Sequence, residues 1–163
     1  MAAVPRIVYR QALHYVAVAA TTSIEGEAGV IARHVETLEA WRASHGGTDA
    51  GHFVRYRRIE MPHRLEIEVC LPSDAVPAVH DGLVADGMPP GRYAVLAYEG
   101  PVEGLVDANR ALQDWAGRHA VVFDMHADGA ASVWTARIER YRSAPDAATR
   151  RVSVEIAYRL ADA

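Results

Sequence analysis

Lysine is missing altogether from this chain of 163 residues: arginine supplies all 17 of its cations, against 21 acidic residues, for a formal charge of −4. With a pI near 6.0, that balance excludes a strongly basic nucleic-acid footprint. A single cysteine, Cys70, excludes an internal disulfide framework and a cysteine-built metal site. No apolar run approaches the roughly 18 residues that a membrane helix needs. The opening stretch MAAVPRIVYRQ has no apolar core followed by a small-residue cleavage site, so a cytoplasmic protein with no membrane partner is expected. Eight histidines are present, but none in H-E-x-x-H or comparable paired spacing. The turn Gly100–Gly104 lacks the Lys-Ser/Thr of a phosphate loop, and no G-x-S-x-G nucleophile elbow occurs. Neither a metal nor a cofactor is expected.

What remains is ordinary globular composition, 50% apolar and 23% charged. The length is close to the prior of about 150 residues for one domain, and such a chain can bury roughly 68–70% of its unfolded surface.

The sequence repeats. Tyr15-Val16-Ala17-Val18-Ala19 is echoed by Tyr93-Ala94-Val95-Leu96-Ala97, and each tyrosine is followed ten residues later by Glu-Gly (Glu25-Gly26, Glu103-Gly104). Leu38, Trp41 and His45 match Leu112, Trp115 and His119. Arg55-Tyr56-Arg57 returns as Arg140-Tyr141-Arg142, and Arg64–Glu68 as Arg151–Glu155. Five matches in one order define two modules, about 6–80 and about 89–160. Within each, an apolar Val/Leu/Tyr-rich stretch (13–20, 92–98) predicts a strand. Apolar residues at three- and four-residue spacing predict helices over about 27–44 and 103–118, the first stopped by Gly46-Gly47. Strand pairs are predicted at 52–60 with 63–71, and at 132–141 with 151–159, the latter joined by a Ser143–Arg150 loop. Asp81–Gly91, with three glycines and Pro89-Pro90, is expected to mark the boundary between modules. Each module is therefore strand-helix-strand-strand, and neither could bury its sheet face alone. A single α+β domain follows, one curved antiparallel sheet with two helices on one face and a central cleft.

The chemistry-bearing candidates are acids that interrupt apolar strands. Glu68 and Glu155 hold equivalent positions, and the pseudo-symmetry is expected to bring them near one another. A carboxylate on the inner side of a sheet costs several kcal/mol to desolvate unless paired, which a bound cation, a nearby arginine or a retained proton would offset. The alternative is that both face solvent, as two-residue alternation with Glu66 suggests. Tyr56 and Tyr141, each flanked by arginines, offer an aromatic face and a hydroxyl; the commoner role is a half-buried strand tyrosine. Trp134, Phe53, Tyr98 and Tyr158 would add aromatic walls, Trp41 and Trp115 belong to the helix cores, and Cys70 is expected to be buried and inert.

Pro89-Pro90-Gly91-Arg92-Tyr93-Ala94-Val95-Leu96, Glu99–Leu105, the helix ending Leu112-x-x-Trp115, Phe53–Tyr56 and Glu68–Pro72 together resemble the gyrase-inhibitor-like (GyrI-like) small-molecule-binding domain, from about Arg6 to Leu160. The resemblance implies two strand-helix-strand-strand modules and a cleft that takes bulky, often cationic, lipophilic drugs. It also implies a cleft glutamate, matched by motif position to Glu68 and through the repeat to Glu155. Three departures stand out: Thr21-Thr22-Ser23 in place of the usual Gly-Pro turn, Cys70 where glycine is common, and Arg159 where the last strand usually ends in proline. Regulator members carry a DNA-binding module before this domain. None precedes Arg6 in this sequence, so direct nucleic-acid binding is not expected.

The resemblance leaves three functions open, because fold alone does not choose among them. The first is binding of a hydrophobic or cationic drug or toxin in the cleft, for sequestration, resistance or sensing. The second is hydrolysis of a strained cyclopropane in a DNA-alkylating natural product, with Glu68, Glu155, Tyr56 and Tyr141 as catalytic groups. The third is protein-level antagonism of gyrase. A homodimer is compatible with all three.

Overall fold

The computed structural model describes residues 3–45, 51–74, 82–142 and 146–163. The elements in order are β1 (Arg6–Arg10), β2 (Leu13–Thr22), α1 (Glu27–His45), β3 (His52–Glu60), β4 (Arg64–Ser73), β5 (Val84–Met88), β6 (Gly91–Pro101), a single 3-10 turn (Val102–Gly104), α2 (Leu105–Arg118), β7 (Met125–Asp128), β8 (Ala131–Trp134), β9 (Arg137–Tyr141) and β10 (Arg151–Arg159). The strands form one antiparallel sheet in the order β1-β6-β10-β9-β3-β4-β2-β5, with the β7–β8 hairpin attached to β3 through β8. α1 packs on β2 and β4, and α2 packs on β6, so the central pair β3 and β9 lies between the two helices.

Each helix is oriented by its charges and closed by the same device. Acids open the first turns (Glu27, Asp107) and arginines occupy the last (Arg42, Arg118), as the helix dipole favours. At each C-terminus a histidine stacks on a tryptophan one turn earlier, His45 on Trp41 and His119 on Trp115, both with ring centroids 4.7 Å apart. The histidine Nδ1 atoms lie 2.9 and 2.8 Å from the carbonyl oxygens of Trp41 and Trp115. The repeated Trp-x-x-x-His therefore finishes each helix and covers its core side.

The pleat sorts side chains into two clusters. On the helix side lie Val16, Val54, Tyr56, Ile67, Val69, Leu96, Val154, Ile156 and Tyr158 with Leu38 and Leu112 from the helices; Tyr15, Phe53, Cys70, Tyr93, Val95, Ile138 and Ala157 pack on the opposite side. A β-bulge at Arg57, where two residues of β3 face one of β4, keeps Ile59 on the helix side with Leu65.

The repeat is visible in the register. Glu68 pairs with Ala19 and Arg55, and Glu155 pairs with Ala97 and Arg140. At the junction β3 meets β9 as Phe53↔Arg140, Val54↔Glu139 and Arg55↔Ile138. Since Arg55 corresponds to Arg140 and Phe53 to Ile138, a half-turn exchanges the outer pairs and maps Val54↔Glu139 onto itself. The pseudo-twofold axis passes through that pair.

The strand-helix-strand-strand modules are thus β2-α1-β3-β4 and β6-α2-β9-β10. The structure adds detail in three places. The stretch read as a boundary contains β5, which pairs with β2 from Leu13↔Met88 to Ala17↔Val84; its glycines interrupt the apolar pattern without preventing an edge strand. Residues 132–141 are two strands, because the chain breaks at Thr135-Ala136 and β8 turns back onto β7. β1, outside the repeat, adds an edge to β6. Gly46-Gly47, Asp81 and the first residues of the Ser143–Arg150 loop lie outside the described residues.

Leu38 and Leu112 are fully buried counterparts at the centre of the helix–sheet contact. Replacing either with alanine is expected to lower unfolding free energy by about 2–5 kcal/mol, measured as a fall in the urea midpoint at unchanged slope.

Candidate functional site

On the helix side of the junction, Glu139 occupies the pseudo-twofold. Its Oε1 accepts hydrogen bonds from Tyr141 Oη at 3.1 Å and Tyr56 Oη at 3.2 Å, and its Oε2 accepts one from Asn109 Nδ2 at 2.8 Å. Tyr56 and Tyr141 are the repeat-related tyrosines, so the symmetry that makes them equivalent also makes them converge. Glu139, Tyr56 and Tyr141 are each 7% exposed and Asn109 8%, too little for water to satisfy them, and the cluster satisfies itself instead.

Each helix contributes one group from its own flank. Glu27 opens α1, and its Oε1 is hydrogen-bonded to Tyr56 Oη. Asn109, one turn into α2, also accepts from Tyr158 Oη at 2.5 Å through Oδ1. One hydroxyl proton cannot serve two acceptors. Tyr56, lying between Glu27 and Glu139, therefore satisfies both carboxyls only if one carries a proton. Burial, reinforced by the charge of Glu139, raises the Glu27 carboxyl to about 7, although the Tyr56 hydrogen bond and Arg137 pull the other way. A protonated Glu27 donating to Tyr56, which donates to Glu139, completes the chain. Burial and the two neighbouring carboxylates push both tyrosine hydroxyls well above their usual value, so both remain protonated donors.

An aromatic wall adjoins this cluster. Trp134, Tyr158 and Phe123 meet with ring centroids 5.1–5.8 Å apart. The Arg137 guanidinium lies 4.5 Å from the Tyr158 ring centre, 4.7 Å from Trp134 and 5.9 Å from Tyr56.

Of the residues singled out in the sequence, Tyr56, Tyr141, Trp134 and Tyr158 come together here. Glu68 and Glu155 do not. Each alternates with helix-side residues (Ile67 and Val69; Val154 and Ile156), which puts both on the opposite face. Three strand spacings separate them, on the order of 14 Å. Glu68 is buried in a structural network: Oε1 accepts from Tyr15 Oη at 2.6 Å and Arg57 Nε at 3.1 Å, while Arg57 also pairs with Asp86 of β5 at 2.6 Å. Glu155 pairs with Arg10 of β1 at 2.6 Å; burial opposes its charge, but the arginine holds it below the usual carboxylate range. Both acids fasten edge strands to the sheet. Phe53 is likewise on the opposite face, edge-to-face with Tyr15 at 5.3 Å. Tyr98 lies on the helix side, but its hydroxyl donates to the Pro101 carbonyl at 2.5 Å and lies over Gly100, where a Cβ would come within 2.8 Å of the hydroxyl oxygen. Cys70 is fully buried, and burial raises its thiol well above the normal range.

Glu139, Asn109, Glu27 and Arg137 were not singled out. The signal for two of them was a mismatch within the repeat. Glu139 stands where the first module has Val54, and Asn109 where it has Val35.

The fold is that of an α+β domain built from two modules, with one helix on either side of their junction. Residues 3–128 match the model of the GyrI-like small molecule binding domain, and the chain belongs to that family. No curated protein matches the sequence. Among solved structures, the EcmrR C-terminal domain is 13% identical, with TM-score 0.74 over 100% of both chains. In an EcmrR–DNA complex the matched region spans 58% of the EcmrR chain. SAV2435 bound to tetraphenylphosphonium is 14% identical, with TM-score 0.63 over 97% of this chain and 94% of that one. A hydrolase from Listeria innocua is 12% identical, with TM-score 0.63 over 96% and 91%. At these identities the likeness is one of fold.

Two outcomes follow from the site. The Glu27 carboxyl is expected to titrate near 7 by carbon NMR. Because its folded value lies above the unfolded one, its contribution to stability is present at low pH and is lost as pH rises from 4.5 through about 7; Glu27→Gln should flatten that part of the stability–pH curve. Glu68→Gln should lower unfolding free energy by about 1–3 kcal/mol by disturbing a buried charged network, with no change in ligand affinity by calorimetry.

Proposed function

We propose that this protein binds a bulky hydrophobic small molecule in the groove over β3 and β9, for sequestration, resistance or sensing in the cytoplasm. The observation that carries the reading is the convergence of both central strands and both helices on one buried polar cluster beside a wall of aromatic rings. Apolar sites with a few convergent polar groups are the usual form of a ligand site. Family membership and the ligand-bound SAV2435 structure support binding in general. Neither a homodimer nor contact with gyrase is required. Titration with a flat aromatic ligand such as 2-methylnaphthalene should quench Trp134 fluorescence and raise the melting temperature, and Tyr56→Ala should weaken binding about tenfold, in keeping with aromatic contacts worth about 0.5–1.5 kcal/mol. Absence of both responses overturns the reading.

One observation favours a second reading, hydrolysis of a strained electrophile. Glu27, held near 7, is joined through Tyr56 to Glu139. A protonated Glu27 would deliver its proton through Tyr56 to an oxyanion forming on the substrate, while Glu139 took a proton from the attacking water. In single-turnover conversion of a cyclopropane-bearing alkylator, Glu27→Gln and Glu139→Gln should each reduce the rate about 10²–10⁴-fold, and Glu68→Gln and Glu155→Gln should leave it intact. No acceleration by the wild type over buffer excludes this reading.

A further inference from the structure

A carboxylate beside aromatic rings would ordinarily favour a cationic guest, because the ring faces and the acid both attract positive charge. In this molecule that place is already filled. The Arg137 guanidinium sits against the faces of Tyr158, Trp134 and Tyr56. The acid at the centre is largely engaged, its two oxygens accepting three hydrogen bonds from the neutral donors Tyr56, Tyr141 and Asn109.

Arg137 itself is left with unused capacity. Among the described residues no carboxylate forms an ion pair with it, although ten other ion pairs are present. Its Nε is buried without a hydrogen-bond partner. The side chain is half-buried, so part of it remains reachable. An arginine presents up to five donors and stays charged throughout the physiological range. The repeat sharpens the contrast: the position equivalent to Arg137 is His52, which stacks on Tyr141 at 4.9 Å and whose basicity is lowered by burial. Of this symmetry-related pair, only Arg137 is a fixed cation. Glu27, whose carboxyl feels the charge of Arg137, is held near 7, so that opposing charge is weakened around neutrality.

We infer that Arg137 is the resident cation of the aromatic wall and sets the site's charge preference, selecting aromatic ligands that bear an anionic oxygen group, such as a carboxylate, and disfavouring lipophilic cations. The inference rests on the binding reading above and specifies the ligand class of the same groove.

The test compares three probes of similar size: 2-methylnaphthalene, naphthalene-2-carboxylate and naphthalen-2-ylmethylammonium. Calorimetry on the full chain should show the wild type binding the carboxylate at least tenfold more tightly than the ammonium. Arg137→Leu should abolish or reverse that order. Arg137→Lys should keep the anion preference at reduced affinity, so the outcome remains readable if the leucine variant does not fold. Equal or preferred binding of the ammonium by the wild type overturns the inference, as does an anion preference unchanged by Arg137→Leu. In either case binding of 2-methylnaphthalene leaves the binding reading standing. Failure of all three probes to bind overturns that reading, and this inference with it.

Discussion

The pairing of β3 with β9 joins two modules that could not each cover a sheet face alone, and its register decides what stands at the centre of the molecule. Because Val54 meets Glu139, the two repeat-related tyrosines fall on either side of one carboxylate. A slip of one residue in β9 would carry Glu139 and Tyr141 to the face opposite Tyr56. The same pairing spaces the helices, leaving α1 and α2 to approach the groove from opposite sides and to supply Glu27 and Asn109. Sheet continuity, groove and polar cluster thus share one contact.

The two faces of the sheet carry charge for different ends. On the face away from the helices, Tyr15, Arg55, Arg57, Glu68 and Asp86 form a linked network, and Arg10 reaches Glu155. Each of these acids is paired with an arginine, and each arrangement ties an outer strand to the body of the sheet. On the helix side Glu139 has only neutral donors around it, while the nearby arginine is stacked on rings and not paired with an acid. Buried charges matched to one another are the mark of structure; charges held apart by neutral groups leave interaction capacity open.

Much of this architecture was legible in the sequence because it repeats. Matching Tyr, Leu-x-x-Trp-x-x-x-His and Arg-Tyr-Arg segments defined the modules, and their strand registers agree residue for residue. The two tyrosines of the polar cluster were singled out that way. Its glutamates were not, because the same symmetry argument gives weight to residues present twice, and Glu68 and Glu155 are a matched pair. Their alternation with Ile67, Val69, Val154 and Ile156 pointed to the far face. The central acid is present once, where the first module keeps a valine. Its place is marked by the mismatch Val54/Glu139 within the repeat, as that of Asn109 is by Val35/Asn109. β5 and the β7–β8 hairpin escaped notice for a different reason: they are short, glycine-containing or exposed, and their pairing is set by the strands beside them.

The axis through Val54 and Glu139 has one further consequence. A half-turn about it exchanges Tyr56 with Tyr141, yet it also exchanges Arg137 with His52 and Asn109 with Val35. The backbone on the two sides of the axis is alike, while charge and hydrogen bonding are not. The molecule combines the economy of a duplicated frame with the handedness of an unsymmetrical interior, and does so through a few side chains.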